Sequence, residues 1–485
     1  MACYIGIDIG TSSAKLILID SKGNVCARQD VFYNLTQTLS GWFEIDPCSW
    51  YDAVMHGASK LLEGTDRSMV GGIGFTGQMH TTVFVDARGH SIRPAISWND
   101  TRTSSLLGPL REEISRHYEL RHIGGIISNG SPAANLYWLS KNEPENFAKI
   151  HKMLIGPDYL TYRFTGVYAT DYCKASTSSL YDIYHKQWSE RMCNILSVPM
   201  SVLPPVYSSG HKIGLIQPEI AAQLGIEPTV QIIMGTGDNP STYLSSAMLK
   251  SGEPIISLGT SGVLMYARDA VDEKAKGKTT LFSAGGDNFS FIVQGTVQSS
   301  GSCYSWWAKN FLDADTFEDI QNKVDITKPV NQQLLFYPHL NGDKTIYADP
   351  YLKGALIGIG TNVNKEEVTR AILEGISFAF KQLMEEMYTE KKPGTIKVAG
   401  KMSCVQPFMQ ILADVLQIQI ETHENISAVQ GIAILTAQSC EDHEIEKIAQ
   451  GPVTIFNPRK VFSEMYTEKY QKYKKIYSSI KEIYN

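Results

Sequence analysis

Two short apolar runs flank a polar corner at the start of the chain. Tyr4 to Ile9 and Leu16 to Ile19 are rich in β-branched and aliphatic residues, as strands are. Gly10-Thr11-Ser12-Ser13 between them predicts a hairpin turn. A further strand is expected at Val31 to Tyr33, then a loop from Gly41 to Pro47. Asp46 or Ser49 would cap a helix through Tyr51 to Leu62. Val70 to Thr76, Thr82 to Asp86 and Ile92 to Ile96 read as strands, the first and last running into polar clusters at 77–80 and 98–102. Residues 103–190 read as mostly helical, with helices from Ala133 to Lys141 and from Pro157 to Phe164. A Ser/Thr-rich loop or strand is expected from Asp171 to Asp182. Ile232 to Met234 is another buried strand, running into Gly235-Thr236-Gly237-Asp238-Asn239, with a tightly packed helix from Ser241 to Leu249.

The second half opens with an echo. Ser257-Leu258-Gly259-Thr260-Ser261 repeats the order apolar strand, Gly-Thr-Ser, apolar strand of the first corner. Two such corners about a domain length apart suggest a duplicated α/β fold with facing phosphate loops, and chain domains of 1–243 and 244–485. A strand at Phe291 to Val293, a helix from Ser300 to Phe311 and a loop from Leu335 to Ile346 come next. Glu366 to Tyr388 is the clearest helix, because Val368, Ile372, Ile376, Phe380 and Leu383 share one face. Lys397 to Gly400 is a strand meeting a turn; Phe408 to Leu416 and Gln430 to Ala437 read as helices. From Tyr466 to Tyr484, tyrosines line one face and lysines the other, the pattern of a surface helix docked on the body.

Composition narrows the class. The 485 residues are 43% hydrophobic and 19% charged, suited to two or three globular domains. A net charge of −6 gives no electrostatic case for nucleic acid or an acidic membrane surface. The eight cysteines are scattered with no C-x-x-C pair, which argues against a zinc site or disulfide framework. No apolar run approaches a membrane span and no cleavable leader is evident, so a cytoplasmic protein is expected.

The corners carry the candidate chemistry. Backbone N–H groups in such turns hold phosphate oxygens, and Asp8 can hold a metal through water. Phosphoryl transfer needs phosphates held, a divalent ion and a carboxylate that takes the proton of the attacking hydroxyl. The two Gly-Thr-Ser corners, Asp8 and Asp238 supply those parts in turn. A glycosidase pair formed by Asp8 and Asp238 would leave the corners idle, and an ordinary hairpin with an Asp at its tip is the plainest alternative. No Walker A motif and no G-x-G-x-x-G or G-x-S-x-G in the relevant context supports other nucleotide or hydrolase folds.

Six stretches in order carry a resemblance: Gly6-Ile7-Asp8-Ile9-Gly10-Thr11-Ser12, Gly77-Gln78-Met79-His80, Trp98-Asn99-Asp100-Thr101-Arg102, Pro157-Asp158-Tyr159-Leu160, Gly237-Asp238-Asn239 and Ser257-Leu258-Gly259-Thr260-Ser261-Gly262. From about residue 3 to about residue 440 the chain resembles the FGGY carbohydrate kinases, most of all their xylulokinase branch. The resemblance implies an α/β, two-domain actin/hexokinase/Hsp70-like fold, a duplicated ribonuclease-H-like unit with an interdomain cleft. It implies ATP-dependent, Mg²⁺-assisted phosphorylation of a ketose such as D-xylulose. Asp238 matches the catalytic base, and Asp8 the acidic residue near metal and phosphates; both would hold Mg²⁺ through water. Met79 and His80 match the sugar-contacting pair, with Asn99, Asp100, Arg102 and Asn239 on the sugar side. Thr11, Ser12, Gly259, Thr260 and Gly400 would serve the nucleotide. A small-molecule sugar and ATP are the partners implied, with a homodimer as the family expectation. Another ketose, a polyol or a sugar acid is the alternative acceptor, and a nucleotide-dependent sugar-binding regulator the alternative class. Two stretches depart from the family: Gly342-Asp343-Lys344-Thr345-Ile346, and Ala399-Gly400-Lys401-Met402, where relatives usually carry consecutive glycines.

Overall fold

The computed structural model describes residues 2–246, 252–272, 276–284, 288–312, 324–349, 351–423, 425–441 and 453–484. The chain divides into two compact units. The first takes Met1–Ala247, Thr280–Ser290 and Ser427–Ala449; the second takes Met248–Thr279, Phe291–Ile426 and Gln450–Asn485.

In the first unit the opening hairpin forms as its pattern predicts. Cys3–Ile9 pairs antiparallel with Ser13–Asp20, and the Gly10 N–H closes the turn on the Ser13 carbonyl at 2.9 Å. Cys3–Ile9 also pairs in parallel with Val70–Gly77, and Val70–Gly77 pairs in parallel with Gln231–Ile233. Three strands from distant parts of the sequence therefore end side by side at one sheet edge. Their apolar side chains are almost wholly buried, with Ile5, Ile7, Ile9, Phe75, Ile232 and Ile233 all at 0% exposure.

Helix Ala428–Glu441 lies in the second half of the sequence, between two stretches of the second unit, but packs on the first unit's sheet. Glycine makes the close approach possible. A Cβ on Gly6 would lie 2.6 Å from the Val429 carbonyl, and one on Gly74 would lie 2.2 Å from Thr436 Oγ1. No local periodicity announces this docking.

The second unit repeats the connectivity. Ile255–Leu258 pairs antiparallel with Gly262–Arg268 and parallel with Thr395–Ala399; the Gly259 N–H closes its turn on the Ser261 carbonyl at 2.9 Å. The long helix is Lys365–Met387, begun by a capping box in which Asn364 and Glu367 exchange hydrogen bonds. The five apolar residues expected on its inner face are all buried. Behind them, buried Glu374 accepts from Arg370 Nε at 2.9 Å and from the Tyr466 hydroxyl at 3.0 Å, and pairs with Lys469. That cluster ties the C-terminal segment to the long helix.

Some local expectations change. The tail is two helices, Lys460–Tyr473 and Ile476–Tyr484, with Tyr466, Tyr470 and Tyr473 buried. The strand expected from Ile92 shrinks to Ala95–Ile96, because Pro94 has no N–H to offer a ladder. The stretch after Asp171 opens as a short helix, Tyr172–Thr177, since the Asp171 carboxylate caps the Cys173 and Lys174 N–H groups. Leu335–Tyr337 is a strand within the expected loop. The helix expected from Ser241 is observed as Asp238–Ser245; residues 247–249 of that expectation lie outside the described residues.

Gly74→Val is expected to lower stability by roughly 1–3 kcal/mol through overpacking against Thr436 and Ile432. A fall in the urea midpoint with an unchanged slope checks it; an unchanged midpoint would show that the helix is not pressed on the strand.

Candidate active site

Ligands of open α/β sheets gather at the carboxyl ends of parallel strands, and that edge of the first unit holds the candidate acids. Asp8 is the penultimate residue of its strand and sits in register with Thr76. One residue on, Ile9 aligns with Gly77, and Gly77 bridges in parallel to Gly237. Asp238 follows directly and begins the helix Asp238–Ser245. The backbone of that approach is tight. Thr76 Oγ1 donates to the Thr236 carbonyl at 2.7 Å, and a Cβ on Gly237 would lie 2.2 Å from Met79 Cγ.

Asp238 feels the charge of Asp8. Burial pushes Asp8 above the usual carboxylate range, and Lys15, its cross-strand partner, pulls it back only in part. Asp238 is pushed up to about 7, first by burial and then by the negative charge of Asp8. Its Oδ1 accepts the Asn239 N–H at 2.8 Å. A carboxyl group tuned close to neutrality beside a second acid is suited to proton transfer at cellular pH.

A circuit of hydrogen bonds ties the Gly10 corner to the neighbouring loops. The Gly10 carbonyl accepts from Gln78 Nε2 at 2.7 Å and from the Tyr33 hydroxyl at 2.6 Å. Gln78 Oε1 accepts from the Thr81 hydroxyl at 2.6 Å, and Thr81 Oγ1 accepts the Trp98 N–H at 3.2 Å. The Trp98 indole returns to Thr11 Oγ1 at 3.1 Å. The hairpin turn and the 98–102 loop are thus held in one frame. Ser12 is exposed at the tip of the corner.

The other candidates divide by environment. Met79 is buried against Gly237, and His80 is half-buried beside it. Asn99 is half-buried, and its Oδ1 is shut from solvent without a hydrogen-bond partner among the described residues. Asp100 and Arg102 turn inward. Arg102 pairs with Asp100 through Nε at 2.9 Å and Nη2 at 2.8 Å, and with Glu44 through Nη1 at 2.8 Å. Its guanidinium lies over the rings of Trp42 and Trp138 at 4.4 and 5.0 Å. The Asp100 carboxylate also accepts the Phe43 N–H at 2.6 Å. With side chains at 0% exposure, both residues shape the loop that presents Trp98 and Asn99.

Gly259, Thr260 and Gly400 belong to the second unit. The carbonyls of Gly259 and Thr260 accept the Gly301 and Ser302 N–H groups at 3.2 and 2.9 Å. Gly400 has φ +98°, and a Cβ there would lie 2.3 Å from the Leu258 carbonyl. No local pattern signals the contacts of Thr76 with Thr236 or of Tyr33 with Gly10, whose partners are distant along the chain, and Gln78 stood only as a member of a motif.

Among known proteins, the N-terminal domain model of the FGGY family of carbohydrate kinases matches residues 3–245, and the C-terminal domain model matches residues 255–440. A xylulose kinase of Bacillus subtilis (strain 168) is 29% identical over 497 residues, covering 100% of this chain and 98% of that one. A gluconokinase of the same organism is 24% identical over 445 residues, 89% of this chain and 86% of its own length. The crystal structure of a xylulose-type kinase from Brucella ovis superposes with a TM-score of 0.91 at 26% identity, over 99% of this chain and 100% of that chain. The match of both domain models, with the two-domain α/β fold, makes this chain an enzyme of the FGGY family of carbohydrate kinases, a sugar kinase that uses ATP as its co-substrate.

Proposed function

We propose that this sugar kinase phosphorylates D-xylulose to D-xylulose 5-phosphate, with Asp238 as the general base. One observation carries the reading: Asp8, near the end of Cys3–Ile9, and Asp238, in the connection after Gln231–Ile233, flank the end of the shared parallel neighbour Val70–Gly77, and Asp238 has its carboxyl group raised to about 7. As a carboxylate it takes the proton of the acceptor hydroxyl while that oxygen bonds to the γ-phosphorus and the bond to ADP breaks. The proton stays on Asp238 until solvent removes it. The likeness to xylulose kinases over the whole chain supports the ketose assignment, and the gluconokinase likeness names the sugar acid as its competitor.

Met79, His80, Asn99 and Asn239 are the sugar-side groups of this reading. The buried, unsatisfied Asn99 Oδ1 is suited to accept from a sugar hydroxyl. Asp100 and Arg102 act one step back, by fixing their loop. Thr11 and Ser12 in the first unit, and Gly259, Thr260 and Gly400 in the second, present turn backbone suited to phosphate and nucleotide.

The acids also fit a magnesium ion. No group of three or more metal-ligating side chains occurs among the described residues, which agrees with an ion held mainly by phosphate oxygens and water and only lightly by Asp8 and Asp238. When bound, the ion offsets the charge of the phosphates. The negative charge that Asp8 places on buried Asp238 favours a cation there.

Asp238→Asn is expected to lower kcat by about 10²–10⁴ while sugar binding persists. Sugar-dependent ADP release, together with calorimetric titration of the sugar, checks it; a variant that keeps its rate removes Asp238 from the chemistry. In a coupled assay with Mg²⁺ across ketoses, polyols and sugar acids, D-xylulose is expected to give the highest kcat/KM. A higher value for gluconate would reassign the acceptor, and no ADP release on any sugar would favour a binding regulator.

A further inference from the structure

Outside the groups assigned above, the first unit buries one lysine completely among the described residues. Lys174 lies in the short helix Tyr172–Thr177 with a side chain at 0% exposure. Its ammonium has three neighbours: Asp158 Oδ1 at 3.1 Å, Asp171 Oδ1 at 3.1 Å, and the Gly235 carbonyl at 3.1 Å. The carboxylates are themselves fixed. Asp171 caps the helix and accepts the Ser209 hydroxyl at 3.0 Å. Asp158 lies in the first turn of the helix Pro157–Thr165, where the helix dipole favours a negative charge.

Gly235 is the third residue before Asp238. It is pressed so closely on the neighbouring strand that a Cβ would lie 1.8 Å from the Phe75 carbonyl. The connection Gly235-Thr236-Gly237 is therefore held at each residue: by Lys174 on the Gly235 carbonyl, by Thr76 on the Thr236 carbonyl, and by the bridge to Gly77 at Gly237. A lysine that merely neutralised two buried acids would need no contact with that carbonyl.

We infer that Lys174 is a positioning residue for phosphoryl transfer: anchored between Asp158 and Asp171, its ammonium grips the Gly235 carbonyl and so sets where Asp238 projects. The inference rests on the reading of Asp238 as the base. It concerns the placement of that base, not the binding of either substrate. Misplacement of a reacting group by about 1 Å can cost roughly a hundredfold in rate.

Lys174→Met alone strands two buried carboxylates and invites misfolding. The variant of choice is therefore Asp158→Asn with Lys174→Met, which removes one charge of each sign. Lys174→Arg, which retains the charge on a differently shaped head, is the second. Steady-state kinetics of both in the full-length enzyme are expected to show kcat reduced about ten- to a hundredfold, with KM for sugar and ATP within about threefold of wild type. In an Asp238→Asn background the same changes are expected to cost nothing further, because no base remains to be misplaced. Wild-type kcat in a folded double variant, or a loss that simply multiplies with that of Asp238→Asn, would overturn the inference. Failure of both Lys174 variants to fold would assign the residue to folding alone and overturn it equally. The Asp238→Asn enzyme by itself reports on the base: if it retains full activity, that reading falls whatever Lys174 does.

Discussion

Asp238 is buried where it feels the negative charge of Asp8, and backbone contacts to the strand between them, Val70–Gly77, hold both acids in place. Asp8 is fixed by antiparallel pairing on one side and parallel pairing on the other. Asp238 is fixed by a glycine-flanked connection whose backbone touches the adjoining strand. Burial raises the proton affinity of both acids, and the charge of Asp8 adds to that of Asp238. A flexible loop would relax by letting the acids separate or hydrate, and the raised affinity would be lost with the geometry.

The same construction explains why glycine is so frequent near this edge. Gly6 and Gly74 let the helix Ala428–Glu441 press on one face of the sheet, while Gly235 and Gly237 let the connection to Asp238 pass between Phe75 and Met79. The second unit uses the device again. In the first, a Cβ on Gly77 would lie 2.5 Å from the carbonyl of Ile9; in the second, one on Gly400 would lie 2.3 Å from the carbonyl of Leu258. Gly77 ends, and Gly400 directly follows, the strand that runs parallel to its hairpin's first strand, and each has positive φ. The short Gly-Thr-Ser echo in the sequence is the visible part of a repeat that includes sheet order and backbone conformation.

What could be read from the sequence was local. The hairpin, the capped helix after Asp46 and the long amphipathic helix each follow from residues within a few positions of one another. Asp8 and Asp238 could be singled out as candidates because each stands beside glycines at or after a strand end, though a hairpin with an Asp at its tip reads the same way locally. Asp100 and Arg102 came to the sugar side through the family resemblance; that Arg102 pairs with Glu44 and lies over two tryptophans distant in sequence was not readable from the sequence. Lys174 was invisible for the same reason, as its role depends on Asp158 and Gly235, which only folding brings to it. The docking of Ala428–Glu441 on the first unit depends on missing side chains, and absence leaves no periodic signal.

The departure at Ala399-Gly400-Lys401-Met402 can be weighed in the same terms. At Gly400 the backbone has φ +98° and leaves no room for a Cβ beside Leu258, so glycine there is a steric necessity. Lys401 opens the turn Lys401–Cys404 and is exposed; nothing in the backbone of that turn demands glycine. The Ser403 N–H and hydroxyl both reach the Gly400 carbonyl, at 3.0 and 2.7 Å, so the turn is closed without help from a second glycine. The chain has kept the glycine that its own backbone requires. A lysine at the next position changes what the loop presents, its charge and reach, and leaves the loop's shape intact.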